Sequence, residues 1–238
     1  EQQYHFMPRV FFAILFVISF SACQEEDPGP RQQDVRQYNY TDFDRLQLSD
    51  AIVVTIHSGA TFTVRAEGDR RNLDDLRLIQ NGTTLTVEFD KNRERQYTTY
   101  LTITLPTLLG LSMSGAVEAT ATGFESPGVS VPITLSGASV AQVSIEAEEL
   151  NVNISGASQL RLHGEASNLR GYLDGASLLH AFNLPVSVAD FQLSGASQAK
   201  VQVSQLLKAN VNGASEIRYL GSPVLNVTTS GSSFVRPD

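Results

Sequence analysis

The chain of 238 residues has one cysteine, two methionines and no tryptophan. A single thiol excludes an internal disulfide and any zinc site built on several cysteines. Basic residues are also few: 17 Lys+Arg stand against 25 Asp+Glu, a formal charge of -8. That balance excludes a binder of phosphate backbones, whose sequence-independent affinity needs a basic face, so no nucleic-acid partner is expected. The four histidines, at 5, 57, 163 and 180, lack metal-ligand spacing, and no GxxxxGK or GxGxxG phosphate cradle occurs. Neither a metal nor a cofactor is expected. No apolar run reaches the roughly 20 residues of a spanning helix. What remains is 42 % apolar and 18 % charged, the composition of a folded domain rather than of a disordered chain.

Met7-Pro8-Arg9 precedes an apolar run of 11 residues from Val10 to Phe20, then Ser21-Ala22-Cys23. One positive charge, a short apolar run and small residues before a cleavage point are the parts of a secretory signal. Residues 1–22 are therefore expected to be a signal peptide, with Met7 as its true start, because Glu1 is no initiator. The segment resembles the lipobox of bacterial lipoproteins, with Phe20 where that motif usually has Leu. This implies acylation of Cys23 and a membrane partner reached through lipid, at roughly 0.8 kcal/mol per buried CH₂. Residues 23–40, rich in Gln, Glu, Asp and Pro, read as a flexible tether. Within it, Gln24-Glu25-Glu26-Asp27 resembles the export signal of Bacteroidetes surface lipoproteins, which implies an outer-membrane lipoprotein exposed at the cell surface. A tether that is acidic for solubility, on a periplasm-facing protein, is the alternative.

Internal repeats decide the fold. Seven short motifs centre on Gly115, Gly137, Gly156, Gly175, Gly195, Gly213 and Gly231, most of them reading Gly-Ala-Ser after Ser, Asp or Asn. Their spacings are 22, 19, 19, 20, 18 and 18 residues. Period-two alternation flanks each one, as in Leu150, Val152 and Ile154 before Gly156, and Leu160 and Leu162 after it. A unit this short, with strands and no helix, cannot bury its apolar face alone, whereas stacked units bury a continuous core. The expected fold is all-β: a right-handed parallel β-helix over 111–238, preceded by a short antiparallel meander. The glycines are expected where the backbone needs positive φ or where coils approach closely. Alanine is expected to point into the narrow corner, and the flanking Ser, Asn or Asp to bond turn backbone.

Residues 41–110 alternate without the motif and read as an N-terminal meander that caps the solenoid, with Asn81-Gly82 as its hairpin signal. The hairpin Asn81-Gly82-Thr83-Thr84-Leu85-Thr86-Val87, the strand Leu101 to Pro106 and the repeated Ser-Gly-Ala-Ser together resemble the adhesin-head family called the GIN domain, found in Bacteroidetes lipoproteins. The resemblance covers about residues 40–235 and implies one continuous domain with a parallel β-helix fold. Val117 and Ser232 depart from the motif in its first and last copies.

Function is expected to be non-catalytic: binding or surface structure in the cell envelope, with a glycan or protein ligand on a β-helix face. Tyr38, Tyr40, Tyr97, Tyr100, Tyr172 and Tyr219 are candidates for stacking on sugars. The rival is a polysaccharide-acting β-helix enzyme, which needs converging carboxylates. Asp174 is the one acid in the repeated column, between Ser155 and Ser194, and reads as a turn cap. Glu146, Glu148 and Glu149 read as a solvated edge. His163 and His180 lie about one coil apart and read as surface histidines. A periplasmic scaffold without a ligand is the third reading.

Overall fold

The computed structural model describes residues 29–238. The signal segment, Cys23 and the Gln24–Asp27 tetrad lie outside the described residues. Arg31–Asp238 is one compact unit. Its strands are β1 (Gln33–Tyr38), β2 (Arg45–Leu48), β3 (Ile52–Ser58), β4 (Thr63–Asp69), β5 (Leu76–Asn81), β6 (Thr84–Phe89), β7 (Thr99–Leu105) and β8 (Gly110–Met113). The long strands β9 (Glu118–Leu135), β10 (Val140–Ile154), β11 (Gln159–Leu173), β12 (Leu178–Leu193) and β13 (Gln198–Val211) follow. β14 (Glu216–Leu220), β15 (Val224–Thr229) and β16 (Phe234–Pro237) end the chain, and a six-residue helix, α1 (Arg70–Asp75), joins β4 to β5.

Each long strand is one coil. Its first arm leaves a Gly turn, bends, and its second arm returns to the next turn. β13 shows the division: Gln198–Gln202 pairs with β14, while Leu206–Val211 pairs with β15. From β9 to β13 every neighbour is parallel, and the register carries equivalent residues onto one another. Alternation makes the core. In β10, Ala141, Val143, Ile145, Leu150, Val152 and Ile154 are buried, each aliphatic side chain larger than Ala being worth about 1.5–3 kcal/mol. Phe191 is accommodated because Gly171, its partner one coil earlier, faces inward; a Cβ there would stand 2.2 Å from the Phe191 ring.

The boundary expected at 110/111 is absent, because the solenoid starts earlier. β2 pairs in parallel with β8, and β3 in parallel with β9, so Arg45–Ser58 is itself a coil. The meander is the remainder: β1 and β4 run antiparallel, as do β4 and β7, and β5 and β6. The hairpin loop lies one residue later than expected. Asn81 pairs with Thr84, which leaves Gly82-Thr83 as the loop, with Gly82 at φ 57 in its first position as a type II′ turn requires. The tether expected over 23–40 is also corrected, since Gln33–Tyr38 is an ordered edge strand on β4. A buried carboxylate pins it. Asp69 caps α1, accepts the backbone N–H of Gln32 at 2.9 Å and is paired with Arg71 at 2.7 Å.

Candidate functional site

The turn glycines form one column along the solenoid, all with φ between 72 and 79. Through it runs a backbone ladder: Ala138 N–H donates to Gly115 O at 2.7 Å, Ala157 to Gly137 at 2.8 Å, and so on to Ser232 on Gly213 at 2.8 Å. A Cβ on Gly156 would lie 2.5 Å from Gly137 O, so both the conformation and the approach demand glycine.

The alanine expected in the inner corner is on the outside, and the serine after it is buried. Ser139, Ser158, Ser177, Ser197 and Ser215 are 0–1 % exposed, while Ala138 and Ala157 face solvent. A buried hydroxyl is tolerated because it is bonded. Ser139 Oγ donates to Ser136 O at 2.9 Å, Ser197 Oγ to Ser194 O at 2.7 Å, and Ser177 Oγ reaches Ile154 O at 3.1 Å in the coil before. The first members are apolar instead: Val117 and, in the coil before it, Ile52.

That earlier coil contributes an eighth column member, Asp50. Its φ is 69, and its carbonyl accepts Ala116 N–H at 2.7 Å. Asp tolerates the left-handed region, and here its carboxylate also accepts Phe89 N–H at 2.7 Å. The motif Ser49-Asp50-Ala51 is the repeat with Asp for Gly.

Two sheet faces and a bend are left for chemistry. On the second-arm face, Thr134, Asn153, Tyr172 and Gln192 stand in register. They line a shallow depression of about 440 Å³ with Asn151, Arg170 and Asp190. Tyr172 is 48 % exposed, as is Tyr100 on the other face. The remaining tyrosines are less available: Tyr38, Tyr40 and Tyr219 pack against the core, Tyr97 is half-buried, and Tyr40 donates its hydroxyl to Leu78 O at 2.7 Å.

At the bend between the arms runs a groove of about 790 Å³ with Glu125, Glu146 and Glu165 on consecutive coils. These three stand in file, and Glu148 also lines the groove, two residues beyond Glu146 on the same coil. Glu149, read from sequence as part of a solvated edge, is half-buried and pairs with Arg170 at 3.3 Å. Asp174 accepts the Ser194 hydroxyl of the next turn, a capping contact. No group of three His, Cys, Asp or Glu among the described residues has metal-holding geometry.

The first-arm face carries a column that charge counting hid. Five residues past successive turn glycines stand Arg161, His180, Lys200, Arg218 and Arg236, and the register stacks them. Their separations, 19, 20, 18 and 18, are those of Gly156 to Gly231, so the column could be found in the sequence by reading at the repeat spacing. His163 is not in it; it pairs with Asn183, whose amide lies 3.3 Å from the ring. Burial, reinforced by Lys200 and Arg161, pushes the His180 imidazole below its usual value. Arg218 and Arg236 are balanced by Glu216; burial would raise that carboxyl, but its bonds to both arginines outweigh burial and hold it low.

Among solved structures, the chain is similar to a "putative adhesin" from Bacteroides fragilis NCTC 9343, with a TM-score of 0.77 at 19 % identity over 88 % of this chain and 98 % of that one. It is similar to a second, from Parabacteroides distasonis ATCC 8503, with a TM-score of 0.73 at 18 % identity over 88 % and 98 %. A third, from the same strain, is called a "putative lipid binding protein"; its TM-score is 0.66 at 15 % identity over 87 % and 97 %. At such identities the likeness is one of fold. No curated protein matches the chain. The family described as "Putative auto-transporter adhesin, head GIN domain" matches residues 42–223. That span takes in the first coil, the Asp50 turn and the glycine column as far as Gly213, and the chain belongs to this family.

Proposed function

We propose that the chain is a non-catalytic binding head of a cell-envelope lipoprotein, attached through an acylated Cys23 and displayed at the cell surface. The observation that carries this reading is the second-arm face, where hydroxyl, amide and aromatic side chains repeat in register along a shallow depression. Such a surface offers stacking and hydrogen bonds to an extended glycan or protein and holds no opposed acid pair. Glu125, Glu146 and Glu165 at the bend stand in file, one per coil, whereas glycoside hydrolysis sets two carboxylates across a bond. The acidic tetrad Gln24–Asp27 supports export to the outer leaflet, and adhesion needs that orientation.

Two measurements test the reading. Cys23→Ser should release the protein from the membrane fraction and abolish fatty-acid labelling. Protease shaving of intact cells should remove the head, and replacing Glu25, Glu26 and Asp27 by alanine should protect it. A head protected in the wild type would confine it to the periplasm and leave surface adhesion without support.

A further inference from the structure

We propose that the outward column Arg161–His180–Lys200 is a binding strip for a linear acidic polysaccharide laid across the coils, parallel to the solenoid axis. The proposal adds a site on the first-arm face, apart from the second-arm depression, and rests on the binding-head reading only for a displayed head.

Charge compensation is the first ground. Most cations elsewhere in the fold are matched, among them Arg71 by Asp69, Arg93 and Arg95 by Asp75, and Arg170 by Glu149, while Arg31, Arg70 and Lys208 have no carboxylate partner among the described residues. No carboxylate among the described residues pairs with Arg161 or Lys200; Lys200 Nζ instead lies 5.9 Å from the Phe182 ring centroid. On the opposite face the equivalent central column reads Arg170, Asp190, Lys208 and so alternates in sign. Of the cations without a carboxylate partner, only Arg161 and Lys200 share one register column, with His180 between them.

Geometry supplies the second ground. Strand spacing places successive residues of the file about 4.8 Å apart, so the charges of Arg161 and Lys200 are about 10 Å apart, close to the screening length of physiological salt, and act on one ligand together. Arg218 and Arg236 extend the file, although Glu216 offsets them. In the neighbouring outward row, Gln159, Leu178 and Gln198 stack in register, giving amides for hydroxyls and an apolar patch for sugar C–H faces.

The width of the file selects the polymer. A duplex or a lipid surface would spread anionic charge over the acidic file Glu125–Glu146–Glu165 at the adjoining bend, which would repel it. A single polysaccharide strand touches only the cations.

The test measures affinity of the full chain for heparin, polygalacturonate, neutral dextran, single-stranded DNA and phosphatidylglycerol vesicles. At least one acidic polysaccharide should bind, more weakly as NaCl rises from about 0.05 M to about 0.5 M. Heparin against polygalacturonate tells whether sulfate or carboxylate is preferred. Arg161→Ala/Lys200→Ala should lose about tenfold or more in affinity with its melting temperature unchanged. Arg31→Ala/Arg70→Ala, which removes two exposed cations before β1 and in α1, should retain wild-type binding. Equal binding by the Arg161/Lys200 variant would overturn the strip. So would tighter binding of DNA or vesicles than of either acidic polysaccharide. Binding of neutral glycans alone would also overturn it, while leaving the binding-head reading intact.

Discussion

Replacing Gly156 by alanine adds a single methyl group at a point where the coils have no room for it. The backbone there has φ +74, and the left-handed region costs an L-residue about 1–2 kcal/mol. The new Cβ would stand 2.5 Å from Gly137 O, closer than any real contact, so the coils must part. Parting them strains the Ala157 N–H to Gly137 O bond of 2.8 Å, and losing such a bond adds about 0.5–1.5 kcal/mol. The expected loss is about 1.5–3.5 kcal/mol, or roughly 3–14 °C in melting temperature at about 2–4 °C per kcal/mol. Gly82→Ala is the control. Its φ is +57 but nothing lies within 4 Å of the added Cβ, so it carries only the conformational part. Thermal and urea unfolding of both variants separate the two contributions. If Gly156→Ala were no less stable than Gly82→Ala, close stacking of the turns would be refuted.

The inner serines give a second prediction: Ser177→Ala removes the donor to Ile154 O and Asp174 O, and urea unfolding should show a loss of about 1–2 kcal/mol. Asp69 gives a pH dependence. Its bonds from Arg71, then those from the backbone N–H groups of Gln32 and Arg71, outweigh burial and hold its carboxyl below the usual carboxylate range. Its contribution is therefore full above the unfolded value near 4 and is lost as pH falls toward the lower folded value. Urea titrations should show wild type losing stability below about pH 4 and Asp69→Asn flatter over that window; parallel curves would count against the role of this carboxylate.

The parts of the fold that were legible in the sequence are those where one residue type meets a hard steric demand. Gly at positive φ against a neighbouring carbonyl has no substitute inside the stack, so its column stood out at the repeat spacing. Asp50 escaped because, at the end of the column, the chain beyond it is a cap rather than another tight turn, and a carboxylate bonded to Phe89 N–H suits that place. The small size of Ala suggests the narrow corner for it, but the backbone carbonyls of the turn satisfy the serine hydroxyl and make Ser the inner residue. β1 was read as tether because an edge strand with both faces half-solvated shows little apolar alternation: only Val35 and Tyr38 mark it. The cationic column was missed for a different reason. Arg161, His180 and Lys200 lie 19 and 20 residues apart in the chain, and the solenoid brings them together by register alone.

Register is what both the candidate faces and the cationic strip depend on. Spin labels placed at Gln142→Cys and Arg236→Cys, in a Cys23→Ser background, measure it directly. The two positions belong to one outward column and are separated by five coil steps, through Arg161, His180, Lys200 and Arg218. At the spacing of paired strands their separation should be about 24 Å, with a narrow distribution. A distance beyond about 35 Å, or a broad spread, would contradict stacked parallel coils in this register.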